Sequence, residues 1–170
     1  MTQVFVSIGS NIERDFHIAQ ALDALTEHFG RLRLSSVYES EAVGFAGDNF
    51  YNLVAEFATD LDIARLSQTL KQIEDDNGRC RQGPRFSGRT LDIDILTYAD
   101  SVGVVQGIEL PRDEILKNAF VLQPLAELAP DALHPELKQA YAALWADYDK
   151  AKQLLWPVTY IWHDQPLPCL

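Results

Sequence analysis

Cysteine is scarce in this chain: Cys80 and Cys169 are the only two, and they have neither metal-ligand spacing nor the density of a secreted disulfide scaffold. A reducing, cytoplasmic setting follows as the expectation. Long apolar runs are also missing. Nowhere do about 18 apolar residues stand together, and the N-terminus, Met-Thr-Gln-Val-Phe-Val-Ser-Ile-Gly-Ser, lacks a basic region followed by a hydrophobic core and a cleavage site. This predicts a soluble, unexported protein with no membrane partner. Positive charge is short as well: 14 Lys and Arg against 25 Asp and Glu leave a formal charge of −11. Such a surface repels polyanions, which argues against a nucleic-acid partner. No internal repeat and no low-complexity tract is present. With 170 residues, 47% of them hydrophobic, the chain is sized for one globular domain, 1–170, with a real core.

The little basic charge there is lies in one place. Arg79, Arg81, Arg85 and Arg89 recur in a segment that also carries Gly78, Gly83, Pro84 and Gly88. On an acidic protein such a loop suits a small, multiply charged ligand held together with a metal. Directly after it comes Arg-Thr-Leu-Asp-Ile-Asp-Ile, residues 89–95. Strand alternation sends Leu91, Ile93 and Ile95 to one face and Asp92 and Asp94 to the other, with the two aspartate Cα atoms roughly 6.5 Å apart. Alone, this is the ordinary signature of a half-buried strand with a solvated acidic face. Beside phosphate-binding arginines it also suits magnesium, which takes one or two carboxylates and completes its shell with water and substrate phosphates.

The rest of the chain reads as alternating strands and helices. Gln3 to Ile8 is a strand closed by Gly9-Ser10-Asn11, and a helix follows with Phe16, Ala19, Leu22, Leu25 and Phe29 on its apolar face and Gly30 at its end. Arg31 to Ser40 and Phe50 to Thr59 are strands around a Gly-rich loop. Asp62 to Gly78 is a helix with Ile63, Leu66, Leu70 and Ile73 in a stripe, and Asp92 to Tyr98 is the aspartate strand. Strand, helix, strand, strand, helix, strand is the βαββαβ pattern of a ferredoxin-like α+β sandwich. The core spans about 1–130, with C-terminal additions over 131–170. After the aspartate strand, a hairpin around Gly103 and Gly107, a helix over Ala119 to Leu128, a helix over Lys138 to Leu155 and a short final strand or ordered tail are expected. Trp145, Trp156 and Trp162 are read as packing residues.

Five motifs stand in order: Ile-Gly-Ser-Asn at 8–11, Phe-Tyr-Asn at 50–52, Ile-Glu at 73–74, Gly-Arg at 78–79 and Arg-Thr-Leu-Asp-Ile-Asp-Ile at 89–95. Together they resemble 6-hydroxymethyl-7,8-dihydropterin pyrophosphokinase of folate biosynthesis, from residue 4 to about Pro130. The resemblance implies transfer of pyrophosphate from ATP to a reduced pterin, with AMP released and no obligate protein partner. It gives Asp92 and Asp94 the role of binding two magnesium ions. Arg79 and Arg89 become catalytic arginines, and Glu74, Arg81, Phe86, Ile95 and Arg112 become nucleotide contacts. Phe50 and Phe120 become the aromatic sandwich of the pterin, and Asn52 meets the ring edge with an amide that both donates and accepts. Ser40, Val43 and Gly44 supply further ring contacts. Read without the family, Phe50 and Phe120 are core residues, Asn52 is a turn or strand-edge residue, and Glu74 is an exposed, solvated charge.

Some positions depart from the family pattern. Glu41 and Ala42 replace a usual proline pair, Ser87-Gly88 replaces Gly-Pro, and Phe86 replaces a tryptophan. Arg112 stands where a histidine is usual, Asn118 where an arginine is usual, and Ala119 where a glycine is usual. Arg112 retains a phosphate-binding charge, which Asn118 cannot supply. These changes motivate an alternative: a divergent paralogue that binds or acts on another pterin with little ATP transfer. A ferredoxin-like regulatory or nucleic-acid module is the weaker third reading, since that architecture hosts many functions.

Overall fold

A computed structural model describes residues 1–41, 47–78 and 90–170. Its elements in chain order are β1 (Thr2–Ser10), α1 (Arg14–Phe29), β2 (Arg33–Leu34), β3 (Val37–Ser40), β4 (Phe50–Thr59), α2 (Ile63–Asp76) and β5 (Asp92–Tyr98). After these come β6 (Gly103–Val105), β7 (Ile108–Leu110), α3 (Glu114–Lys117), α4 (Ala119–Leu128), α5 (Tyr141–Asp147), β8 (Leu155–Val158), β9 (Ile161–Trp162) and β10 (Gln165–Pro166). The main sheet is antiparallel in the order β5-β1-β4-β3-β8, with β2 also paired to β4. Its first four strands have the ferredoxin-like arrangement expected from the element order. The expected strand over Arg31 to Ser40 is divided into β2 and β3, because the Ser35 hydroxyl accepts the Val54 N–H at 2.9 Å.

Hydrophobic alternation along β1, β4 and β5 builds a core on each side of this sheet. Val4, Val6, Ile8, Leu53, Ala55, Ile93 and Ile95 pack with Leu22 and Leu25 of α1 and Leu66 and Leu70 of α2. On the opposite face Phe5, Val54 and Leu96 meet Val121, Leu122 and Leu125 of α4 and Tyr141 of α5. Every fully buried leucine among these contributes roughly 1.5–3 kcal/mol from burial alone. Asp62 caps α2 by accepting the Arg65 N–H at 2.9 Å. Gly30, at φ 78°, ends α1 with its N–H on Thr26 O.

Two expectations about helices are corrected. The buried face of α1 carries His17, Ile18, Ala21, Leu22 and Leu25, whereas Phe16 is 55% exposed. Both stripes have helical period, and contact with the sheet selected the one centred on Ile18. The helix expected over Lys138 to Leu155 is confined to Tyr141–Asp147. Lys138 has φ 57°, and Tyr148 leaves the helix in extended conformation.

The chain after residue 130 returns to the main sheet. Strand β8 pairs along β3, with Val37 opposite Val158, Glu39 opposite Trp156 and Ser40 opposite Leu155. Farther on, the Trp162 indole donates to Asp23 of α1 at 2.9 Å, and Cys169 pairs with Leu34. No helix among the described residues is long and apolar enough to cross a membrane.

Candidate active site

The register of the sheet assembles the site. Gly9 of β1 lies opposite Asn52 on one side and opposite Asp92 on the other, and Ser7 likewise lies between Val54 and Asp94. Directly opposed residues share a face, so Asp92, Gly9 and Asn52 form one cross-strand row on the α4 side. Adjacent strands lie about 4.8 Å apart, so the expected metal ligand and the expected ring-edge residue are roughly 10 Å apart. The floor between them has no side chain. A Cβ added at Gly9 would meet Asn52 Oδ1 at 2.6 Å, so glycine is the residue that leaves Asn52 its place.

Around Asn52 one polar contact is already made. Asn52 is 9% exposed, and its amide nitrogen donates to Ser40 Oγ at 3.3 Å. Phe50 is on the same face, two residues earlier on β4, and lies opposite Ser40. Phe120 stands in the first turn of α4, half-buried against the core on this side of the sheet. The structure therefore places Ser40, Phe50, Asn52 and Phe120 on one side of the sheet.

At the other end of the row a cleft of about 260 Å³ curves around the outer edge of β5. It is lined by Ser67, Lys71 and Glu74 of α2, by Asp92 to Ile95 of β5, and by Ile108 and Arg112. The resemblance pointed to Glu74, Asp92, Asp94, Ile95 and Arg112, and all five are brought together here. Arg112 Nη2 lies 3.7 Å from Asp94 Oδ2 and 3.2 Å from Glu114 Oε1. Its buried Nε has no hydrogen-bond partner among the described residues.

Glu74 departs from the solvated charge that its sequence context suggests. It is 6% exposed, and its Oε2 accepts the Ile93 N–H at 2.7 Å. A helix carboxylate thus covers an outward-facing backbone donor of the edge strand. This adds one more negative group to the cleft.

Burial pushes the Asp94 carboxyl from 3.8 up to about 7; Arg112 opposes the rise, while Asp92, Glu114 and Glu74 add to it. An acid so placed gains most from a cation. The donor set fits magnesium: two neighbouring carboxylates, oxygen atoms only, and an adjoining cleft with room for phosphate. Among the described residues no group of three or more His, Cys, Asp and Glu converges. The remaining oxygen ligands would be water and phosphate.

Val43, Gly44, Arg79, Arg81, Phe86 and Arg89 lie outside the described residues, as do Arg85, Ser87 and Gly88. Other residues of the site had no sequence signal of function. Lys71 enters the cleft one turn from Glu74, visible in sequence only as a lysine three residues before a glutamate. Arg14 lies 4.0 Å above the Tyr51 ring and donates to Glu39 and to Asn49 O, both at 3.0 Å. It thereby holds both ends of the β3–β4 connection. Gln153 reaches the start of α4, where its Oε1 accepts the Ala119 N–H at 2.8 Å and its Nε2 donates to Asn118 Oδ1 at 2.9 Å.

Comparison with known proteins agrees with this arrangement. The family model of 7,8-dihydro-6-hydroxymethylpterin-pyrophosphokinase matches residues 5–130. A 2-amino-4-hydroxy-6-hydroxymethyldihydropteridine pyrophosphokinase of Pseudomonas aeruginosa is 38% identical over 139 residues, covering 79% of this chain and 85% of the relative. Its namesake in Aquifex aeolicus is 34% identical over 137 residues, again covering 79% of this chain and 85% of the relative. Among solved structures, an HPPK-DHPS in complex with substrates superposes with a TM-score of 0.75 at 11% identity, over 98% of this chain and 48% of that one. That likeness is one of fold, and this chain spans about half the length of that protein.

Proposed function

This chain belongs to the 7,8-dihydro-6-hydroxymethylpterin-pyrophosphokinase family, and on that footing we propose that it transfers pyrophosphate from ATP to 6-hydroxymethyl-7,8-dihydropterin, a step of folate biosynthesis. The bond formed joins the pterin hydroxymethyl oxygen to the β-phosphorus. The bond broken is the one from that phosphorus to the oxygen that departs with AMP. The protein's task is chiefly to align three groups and to balance negative charge.

The row Asp92, Gly9, Asn52 is the observation that carries this reading. It sets a carboxylate for the nucleotide end and an amide for the ring end on one open floor. Phe50 and Phe120 would enclose the flat ring, whose planar π-surface favours offset stacking. Asn52 and Ser40 would orient the ring edge through donor and acceptor groups that an apolar residue lacks. Asp92 and Asp94 would hold two magnesium ions. Magnesium bound there supplies charge neutralisation on the triphosphate. Arg112 and Lys71 bring positive charge to the same cleft, and Glu74 and Ile95 line its wall. Arg79, Arg81, Phe86 and Arg89 are assigned to the nucleotide, and Val43 and Gly44 to the pterin, through the family motifs they match.

Arg112 supports a working nucleotide site despite its departure from the family pattern, because its guanidinium stands beside Asp94. The test is AMP release from ATP, magnesium and the hydroxymethyl-dihydropterin. Turnover dependent on all three supports the transfer. Pterin binding without AMP release would instead establish the divergent paralogue.

A further inference from the structure

Helix α4 begins with a shortage of hydrogen bonds. Its N-cap, Asn118, makes no side-chain capping bond. Pro124 lies inside the helix and has no N–H to give to the Phe120 carbonyl four residues earlier. Val121 N–H and Leu122 N–H both donate to Asn118 O at 3.0 Å, so the helix itself starts this turn, but those bonds leave the Ala119 N–H to be met from outside it. Further bonds at this end of the helix come from the chain beyond residue 130. Gln153 accepts the Ala119 N–H and donates to Asn118 Oδ1, and the Tyr148 hydroxyl donates to Lys117 O at 2.7 Å. Two residues after Gln153 the same segment becomes β8 and pairs with β3 up to Ser40.

We propose that residues 148–158 clamp the pterin site, and that Gln153 is the positioning residue that fixes Phe120 relative to Ser40, Phe50 and Asn52. This deepens the pyrophosphokinase reading and rests on it. The segment is bound at one end to the turn of α4 that bears one face of the ring sandwich. At the other end it is bound to the strand that supplies Ser40. The amide pair also gives a role to the unusual Asn118: its side chain serves the clamp, where an arginine is usual.

The test compares Gln153→Ala and Gln153→Glu with the wild-type full chain, using steady-state kinetics with each substrate varied in turn. Gln153→Ala should raise KM for the pterin roughly three- to tenfold, the loss expected when a helix start loses a cap. KM for ATP should change less than about twofold, since the nucleotide contacts lie elsewhere. Gln153→Glu keeps an acceptor for Ala119 N–H, at a helix N-terminus that favours negative charge, and should restore most of the pterin KM. An unchanged pterin KM in Gln153→Ala would overturn the clamp, as would an equal rise in both KM values with no rescue by Gln153→Glu. A wild-type chain without pterin turnover would remove the functional reading itself, a result distinct from either.

Discussion

On the β5 side of Gly9, Asp94 is crowded by Asp92, Glu74 and Glu114 and opposed by Arg112, while on the β4 side Asn52 and Ser40 bond one another in a packed, uncharged setting. The first half is electrostatically loaded, and a bound cation would relieve it. The second is assembled in advance. On the proposed function, a site for a highly charged nucleotide with its metal and for a neutral ring would divide its free energy in this way: repulsion where cations would arrive, and fixed shape where a rigid heterocycle would sit.

The largest effect should come from emptying the loaded half. Asp92→Ala or Asp94→Ala should lower AMP release by at least about 10²–10³-fold, the usual loss when one electrostatic contact to a transition state is removed. Far-UV circular dichroism should be unchanged, because both side chains face the cleft. A rate within about threefold of wild type would remove the carboxylates from the metal role.

The pre-formed half is broken by one methyl group. Gly9→Ala places a Cβ 2.6 Å from Asn52 Oδ1, so the amide must move. Loss of a single well-placed hydrogen bond raises pterin KM about tenfold, with ATP KM left nearly constant. Equal effects on both substrates would show that the two halves are not separable.

Arg112→Ala should affect the other substrate. It removes a cation from the nucleotide cleft, raising KM for ATP by about three- to tenfold, as expected for one exposed charge contact, while pterin KM stays put. It also removes the group that opposes the rise of Asp94, so the pH at which metal-dependent activity appears should move upward.

The smallest effect concerns stability. The folded chain holds the Asp94 proton with a pKa of about 7 against 3.8 for the ordinary group. A raised folded-state pKa means that the contribution of Asp94 to stability is fully present below 3.8 and is lost as pH rises through about 7. In magnesium-free buffer Asp94→Asn should therefore raise Tm at pH 8 by on the order of a few degrees and leave it nearly unchanged at acid pH. Thermal melts with a chelator, at both pH values, check this; a Tm that falls at pH 8 would contradict the loaded-half description.

The nucleotide half was the more legible in sequence. Alternation over 91–95 separated Asp92 and Asp94 from Ile93 and Ile95 because strand geometry is local, and the stripe of α2 and the limits of α4 were equally local matters. The face of α1 was not, since Phe16 and Ile18 compete for burial and only the sheet decides between them. Nor was Glu74, whose partner is a backbone N–H on β5 nineteen residues away. The loose helical spacing of Tyr148 and Leu155 predicts one helix throughout 138–155. Tyr148 instead bonds Lys117, Gln153 bonds Asn118, and Leu155 joins the sheet opposite Ser40. Periodicity records one chain segment at a time, and these contacts join two.

The covering of Ile93 N–H by Glu74 has a consequence apart from catalysis. An outer strand with bare donors and acceptors is a template on which another chain can lay a strand of its own. At β5 a buried carboxylate occupies that template, and at the opposite border β8 carries Pro157, which has no N–H to offer. Neither border therefore offers an unbroken ladder of donors to an incoming strand, while the polar cleft on the β5 flank stays open.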